Sequence, residues 1–300
     1  MDDAAIDTVR RFTRTVTQRV GALDDRALSR DRPLGASRVL WEIGEGGRDV
    51  RDLRAGLGLD SGYLSRLLRS LTREGLVRVG PGTPDRRVRR AHLTAEGRRE
   101  RALLDGRSDA QAASLLEPLP PAQRRRLIAA MAEVERLLRA GMVDVGPADP
   151  ADPGARACVA AYAAELDGRF PGGFDPAASL PAHDDDLRPP RGLLVLASLA
   201  GRPLGCAALK LHGDEPAEVK RMWVAGDARG LGIGRRLLAA VESAAAEAGA
   251  RVLRLETNET LTEAIALYRS AGWTEVPRFN DEPYAHHWFE KRVEAPGAAH

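Results

Sequence analysis

Arg229-Gly230-Leu231-Gly232-Ile233-Gly234-Arg235-Arg236 lies between a strand-like run at residues 219–224 and an amphipathic helical run at residues 237–248. Glycines at alternate positions let a backbone approach a ligand closely, successive N–H groups converge on an anion, and the helix that follows adds the positive end of its dipole. The stretch therefore reads as a phosphate cradle opening a helix. Two other glycine motifs fail here. A dinucleotide fingerprint beginning at Gly230 or Gly232 requires its last glycine where Arg235 or Leu237 stands, and a Walker A loop requires Gly-Lys, which is absent.

Outward from the cradle, strand-like and helical runs alternate. A helix is expected at residues 152–170, strands at 193–199, 204–211 and 217–224, the helix ending at 248, a strand at 251–256, a helix at 260–271 and a strand at 286–292. Residues 142–145 read as a possible first strand of this region. The alternation indicates an α/β layer whose ligand loop joins a strand's C-terminal end to a helix.

Arg-x-x-Gly-x-Gly at Arg229, Gly232 and Gly234 resembles the coenzyme A pyrophosphate loop of the GNAT acetyltransferase superfamily. Leu267-Tyr268-Arg269-Ser270-Ala271-Gly272-Trp273 resembles the same family's Leu-Tyr-x-x-x-Gly-Phe segment, and the element order is also similar. The resemblance implies acetyl-CoA as cosubstrate and acetyl transfer to a primary amine by direct attack on the thioester. It places the pantetheine arm against backbone groups of Met222, Trp223 and Val224. The pyrophosphate falls to Arg229, Gly230, Leu231, Gly232, Ile233, Gly234 and Arg235.

An ammonium of pKa about 10 must lose a proton before it attacks, and the departing thiolate benefits from a donor. Tyr268 aligns with the family's frequent proton donor to the coenzyme A sulfur. Glu218 stands where some members carry the general base; others deprotonate through water, and both routes remain open at this point. The family's asparagine, seven residues before the tyrosine, is Leu261 here, with Asn258 as the nearby substitute. Substrate-facing candidates are Phe170, Phe174, Phe279, Asn280, Tyr284, His286 and His287, the two histidines falling on opposite faces of a strand. His183 beside Asp184, Asp185 and Asp186 reads as a solvated loop, and no metal is expected.

The N-terminal half has another character. Ile6, Val9, Phe12, Val16 and Val20 recur at helical spacing, and Leu127, Ile128, Met131, Val134, Leu137 and Leu138 form a second stripe. Between them lie helical stretches at 36–44, 50–57 and 60–74, the last with Asp60 or Ser61 as N-cap, Leu64, Leu67, Leu68 and Leu71 on one face, and Ser65, Arg66, Arg69 and Arg73 on the other. Two strand-like runs around a glycine- and proline-rich tip follow, making a winged helix-turn-helix in which eight arginines oppose two acids between Ser61 and His92.

Leu-x-x-Glu-Gly-Leu-Val at residues 71–77, Asp85-x-Arg87, and Leu93-Thr94-x-x-Gly97 resemble the core pattern of the MarR family of regulators. The resemblance implies a homodimer, closed by the two terminal amphipathic helices, on a double-stranded DNA operator. Ser61, Tyr63, Ser65 and Arg66 are expected near base edges, Arg87 at the wing tip oriented by Asp85, and Arg69, Arg73, Arg89 and Arg90 on phosphates.

The fold class is thus multidomain: a mainly-α winged helix-turn-helix domain at residues 1–140, then an α/β (α+β) acetyltransferase domain at 141–294, with a disordered tail at 295–300. Charge follows that division. Residues 1–140 carry 28 arginines against 20 acids, whereas the remainder has 17 basic and 23 acidic residues, so one half suits a polyanion and the other weakly favours an amine. Only Cys158 and Cys206 occur, without metal-ligand spacing, and both read as buried small side chains. No apolar run suits a membrane span and no signal peptide opens the chain, so a cytoplasmic location is expected. The function expected is a bifunctional regulator and N-acetyltransferase. Two alternatives stay open: a regulator that only senses acetyl-CoA, and an enzyme whose winged helix only dimerises it.

Overall fold

The computed structural model describes residues 2–19, 33–82, 88–213 and 215–293. The chain divides into two compact units, Met1–Ala132 and Glu133–His300.

The first unit contains α1 (Asp3–Arg19), α2 (Leu34–Ile43), β1 (Arg48–Asp49), α3 (Val50–Leu57), α4 (Ser61–Arg73), β2 (Val77–Pro81), β3 (Arg89–Leu93) and α5 (Ala95–Leu116), and α6 (Pro121–Gly141) begins in it. Leu64, Leu67, Leu68 and Leu71 of α4 pack into one core with Val39, Leu40 and Ile43 of α2 and with Leu53, Leu76, Leu93 and Leu104. Asp60 caps α4, its carboxylate accepting from the Tyr63 N–H at 2.8 Å. β2 and β3 form the antiparallel wing hairpin, and β1 pairs with β3's other edge. The tip, with Asp85 and Arg87, lies outside the described residues.

α5 was absent from the sequence expectation. Its alanines and arginines are scattered round the helix, and Leu104 is its only large apolar residue that is fully buried, so no one-sided stripe announces it. The Thr94-x-x-Gly97 pattern at its start has a steric basis. Thr94 Oγ1 accepts from the Gly97 N–H at 3.0 Å, and a Cβ on Gly97 would stand 2.0 Å from the Leu76 carbonyl oxygen. The stripes of α1 and α6 are helical as expected but bury nothing completely: Val9, Phe12, Ile128 and Met131 remain exposed.

The second unit is a seven-stranded sheet in the order β4-β5-β6-β7-β8-β10-β9, built from β4 (Asp144–Ala148), β5 (Gly192–Leu199), β6 (Arg202–His212), β7 (Glu215–Val224), β8 (Val252–Thr257), β9 (Thr274–Val276) and β10 (His287–Arg292). Helices α7 (Pro153–Arg169), α8 (Ile233–Glu247) and α9 (Thr262–Ser270) connect them. Strand alternation assigns the faces. Val195, Ala197, Ala207 and Leu209 pack with Ile233, Leu237, Leu238 and Val241 of α8, while Leu194, Cys206 and Ala208 pack with Ala155 and Cys158 of α7 on the opposite face. Pro147 sits in edge strand β4, where no neighbour needs its missing N–H.

One interruption makes the site. β7 and β8, the sheet's parallel pair, are registered only at Ala217↔Leu253 and Glu218↔Arg254. Beyond them β7 follows β6 as far as Val224, and β8 follows β10 as far as Thr257, so a gap opens between the two strands.

Candidate active site

Two cavities, of about 570 and 530 Å³, share Tyr162, Leu166, Met222, Leu261, Ala264 and Tyr268 as common wall and so form two chambers of one cleft. The smaller chamber is lined by Trp223, Val224, Arg229, Gly230, Gly232, Ile233, Gly234 and Arg235. The larger is lined by Phe170, Phe174, Lys220, Arg221, Glu256, Glu282 and Tyr284, among others.

The cradle chamber follows from backbone geometry. Gly230 and Gly232 are left-handed, with φ of 81° and 73°, and Gly232 is the N-cap of α8 without any side-chain cap. The first-turn N–H groups of α8 are therefore left to an external acceptor, at the positive end of a 15-residue helix. A Cβ on Gly234 would meet Leu267 Cδ2 at 3.0 Å and Met222 Cε at 3.7 Å, so glycine is what lets α8 close against α9 and β7. These features fit a pyrophosphate.

Arg229 and Arg235 face this chamber with partners of their own. Arg229 forms an ion pair with Glu165 at 2.5 Å, and Arg235 donates to Ser270 Oγ at 2.9 Å. Glu165 also accepts from Trp223 Nε1 at 2.8 Å and pairs with Arg169 at 3.0 Å, and Arg169 in turn holds Glu263 at 3.0 Å. An ionic chain thus runs from the cradle along α7 to the start of α9. Burial acts to raise the Glu165 pKa, but the Arg229 and Trp223 hydrogen bonds outweigh it and the carboxyl titrates below its usual range.

Leu231 differs from the expectation. It is 9% exposed and packs in the sheet-and-α8 core, lining neither chamber, because a glycine on each side turns its side chain inward while the backbone makes the cradle.

At the common wall, Tyr268 is 5% exposed and packs on Trp273 and Phe289 at centroid distances of 6.2 and 5.7 Å. Burial raises its pKa well above the ordinary phenol value, as it does for Tyr162 across the wall. Both phenols stay protonated at neutral pH and keep an O–H to donate.

The base expected at Glu218 lines neither chamber. Its carboxylate lies 3.3 Å from Lys220 Nζ and 3.7 Å from His212 Nε2, at the register position where β7 is still paired with β8 and the gap has not opened. Two residues along β8 from Arg254, past the last pair, the sheet instead presents Glu256. It is ion-paired with Lys220 and accepts from Asn280 Nδ2 at 3.2 Å. For Lys220, burial lowers the pKa, but Glu256 and Glu218 pull it the other way and the net shift is upward. Glu256 and the buried Glu282 were not anticipated. Alternation along β8 was the available signal for Glu256; Glu282 sits in an irregular loop and has none.

Asn258 lines the larger chamber only. Its Oδ1 accepts from Thr260 N at 2.9 Å in a local turn, and its Nδ2 donates to the Tyr284 carbonyl at 2.7 Å across to the loop before β10, so the amide is turned away from the cradle chamber, which it does not line. Of the substrate-facing candidates, Phe170, Phe174 and Tyr284 line that chamber, with Phe174 and Tyr284 centroids 5.0 Å apart. Phe279 instead lies under Arg254, Asn280 bonds Glu256 and Trp288, and His287 bonds Glu275 at 2.6 Å. His286 is exposed. The acids beside His183 are occupied by basic side chains, Asp185 by Arg188 at 3.0 Å and Asp186 by Lys210 at 3.9 Å.

In the first unit, Ser61, Ser65, Arg66, Arg69 and Arg73 lie on the exposed face of α4, and Tyr63 is half-buried against the core with Arg66 over its ring at 5.7 Å. Arg89 is exposed on the wing strand. Arg90, expected on a phosphate, is half-buried and holds Asp49 at 3.1 Å and the Gly47 carbonyl at 3.1 Å, so it ties the wing to β1 instead. Among the described residues no helix is long and apolar enough to cross a membrane.

Residues 160–273 match the model of the acetyltransferase (GNAT) family, and residues 31–88 match the MarR family. An IAA acetyltransferase of Azospirillum brasilense is 40% identical over 122 residues, which are 40% of this chain and 78% of that protein. A GNAT-family acetyltransferase of Staphylococcus aureus Mu50 superposes with a TM-score of 0.44 at 15% identity, over 51% of this chain and 99% of that one. Streptococcus pneumoniae FabT in complex with DNA superposes with a TM-score of 0.39 at 17% identity, over 44% of this chain and 96% of that one. The chain belongs to the GNAT acetyltransferase family through its second unit, an N-acetyltransferase module with acetyl-CoA as cosubstrate, while its first unit carries the match to the MarR family model.

Proposed function

We propose that this protein is both a DNA-binding regulator and an enzyme that acetylates a primary amine. The observation that carries the enzymatic half is the cleft's construction: a backbone cradle on one side, a chamber of side chains on the other, and a buried, protonated Tyr268 in the wall between them.

Acetyl-CoA supplies the activated acyl group. The uncapped N–H groups of α8, with Arg229 and Arg235, hold its pyrophosphate, and Met222, Trp223 and Val224 align the pantetheine arm where β7 has lost its β8 partner. The amine enters from the larger chamber. Glu256 draws the departing ammonium proton through water, and Tyr268 donates its hydrogen bond to the sulfur as the C–S bond breaks. Glu218 holds Lys220 instead of taking part.

The regulatory half rests on the exposed guanidiniums of Arg66, Arg69 and Arg73 on one face of α4. That face enters the major groove in a homodimer whose seam is the exposed apolar stripes of α1 and α6.

A reciprocal experiment tests both halves. Tyr268→Phe is expected to lower kcat of acetyl transfer about 100-fold while leaving DNA binding intact. Arg66→Ala combined with Arg69→Ala is expected to weaken a mobility shift on the DNA upstream of the protein's own reading frame by about 100-fold and to flatten its salt dependence by about one phosphate contact per protomer, with acetyl transfer unchanged. Retained activity in the first variant, or wild-type DNA affinity in the second, would remove the corresponding half of the proposal.

A further inference from the structure

The charged side chains of the larger chamber are unequally matched. Lys220 faces Glu256 and Glu218, Arg156 lies 4.0 Å from Asp184, and Glu282 accepts from Ser179 Oγ and the Leu180 N–H, both at 2.8 Å. Arg221 differs from the other cations, Lys220 and Arg156. One of its guanidinium nitrogens donates to the Ala182 carbonyl, and among the described residues no carboxylate stands within ion-pair distance of it. A guanidinium offers five donors in a planar fork, and a half-buried one is costly to leave without an anion.

The backbone is bent to put it there. In a regular strand Arg221 would face away from Lys220 and Met222. Here the β6–β7 register is irregular between Cys206 and Ala208, and Arg221 has a φ of 52°, one of two positive-φ residues other than glycine among the described residues. The consequence is that Lys220, Arg221 and Met222, three successive residues, all line the chamber. Strain of this kind persists only where the surroundings enforce it, and it gathers at binding sites.

We propose that Arg221 binds a carboxylate of the acceptor, so that the amine acetylated belongs to an amino acid or a close analogue. This rests on the amine-acetylating reading of the cleft. The fork of Arg221 meets the carboxylate side-on, the amine lies toward Met222 and Tyr268, and an apolar side chain packs on Phe170, Phe174 and Tyr284. About 570 Å³ accommodates one such molecule.

The test compares leucine, phenylalanine and tyrosine with their decarboxylated amines, isoamylamine, phenethylamine and tyramine, by thiol release from acetyl-CoA. In parallel, calorimetry follows binding of the same amino acids to protein saturated with coenzyme A. Wild type is expected to favour at least one amino acid over its decarboxylated amine by about tenfold or more in kcat/KM. Arg221→Gln is expected to raise the KM for that amino acid by about tenfold, with kcat and all values for the decarboxylated amine within twofold, and Arg221→Lys is expected to restore part of the loss. Melting temperature and coenzyme A affinity establish that the variants fold; if Arg221→Gln does not, the charge-conserving Arg221→Lys variant carries the comparison.

Equal or better turnover of the decarboxylated amines by wild type, or equal losses on both classes in the variant, overturns the inference while leaving amine acetylation standing. Arg221-dependent calorimetric binding without turnover of any amine keeps the carboxylate site and removes the acetylation reading. If no amino acid of the set binds and none is turned over, the inference is overturned.

Discussion

The two chambers of the cleft are built by different means. The cradle chamber is made of backbone: glycine conformation, an uncapped helix start and a strand that has lost its neighbour. All its essential residues lie within one local stretch of chain. The larger chamber is made of side chains delivered by α7, the loop near residues 174–184, β7, β8 and the loop before β10. A backbone-built site tolerates no added side chain but accepts many residues around it. A side-chain-built site changes its ligand with each substitution. That division suits an enzyme whose cosubstrate is fixed and whose acceptor is particular to the protein.

The comparison is broken most directly at Gly234. Gly234→Val places branched carbon where a single Cβ already meets Leu267 at 3.0 Å and Met222 at 3.7 Å, so α8 must move away from α9 and β7. Overpacking of this kind costs about 1–3 kcal/mol. Acetyl-CoA affinity by calorimetry is expected to fall by about 10- to 100-fold, with a matching fall in kcat/KM. Wild-type affinity in this variant would mean that the cradle is not set by the close approach of α8.

A smaller effect separates the two candidate carboxylates, Glu256 in the larger chamber and Glu218 outside it. Glu256→Gln keeps the hydrogen bond from Asn280 and leaves Lys220 paired with Glu218 at 3.3 Å, so the fold is conserved while the proton acceptor is lost. The expected result is a fall in kcat/KM of about 10-fold or more, steepest near neutral pH where the amine is protonated. Glu218→Gln is expected to change it by less than threefold, since its carboxylate faces Lys220 and His212 outside both chambers. Reversed magnitudes would return the base to Glu218.

How legible each chamber was follows from its construction. The glycine cradle, the Leu267-Tyr268 segment and the apolar face of α4 were readable because each is a local pattern of fixed period or spacing. The same reading missed α5, whose polar and apolar residues show no preferred side, and the three-residue strand β9. It placed Arg90 on a phosphate because a charge count does not show that Asp49, on another element, lies beside it. The family resemblance pointed to Glu218, and its place outside both chambers was hidden because the point where β7 parts from β8 is a pairing between segments 36 residues apart. Arg221 was hidden for a related reason: alternation is the only rule a strand sequence supplies, and here a left-handed residue breaks it.

The smallest effect concerns the ionic chain along the cradle chamber, the polar counterpart of the buried Lys220 cluster. Glu263 closes that chain on α9, and the Arg169 guanidinium holds its carboxyl down from the ordinary 4.5 to about 2. A depressed carboxyl pKa contributes stability that is fully present above about pH 4.5 and is lost as pH falls toward 2, because the unfolded chain takes up the proton first. The Glu263 side chain is 61% exposed, however, so solvent screens the pair and its contribution stays within about 0.5 kcal/mol. Glu263→Gln should therefore lower the melting temperature at pH 7 by a degree or two at most, with no difference from wild type near pH 2 and less than a twofold change in the KM for acetyl-CoA. A larger loss of acetyl-CoA binding would show that the chain from Arg229 through Glu165 and Arg169 acts as a unit to set the cradle's arginine. The cradle chamber would then depend on side chains as much as its neighbour does.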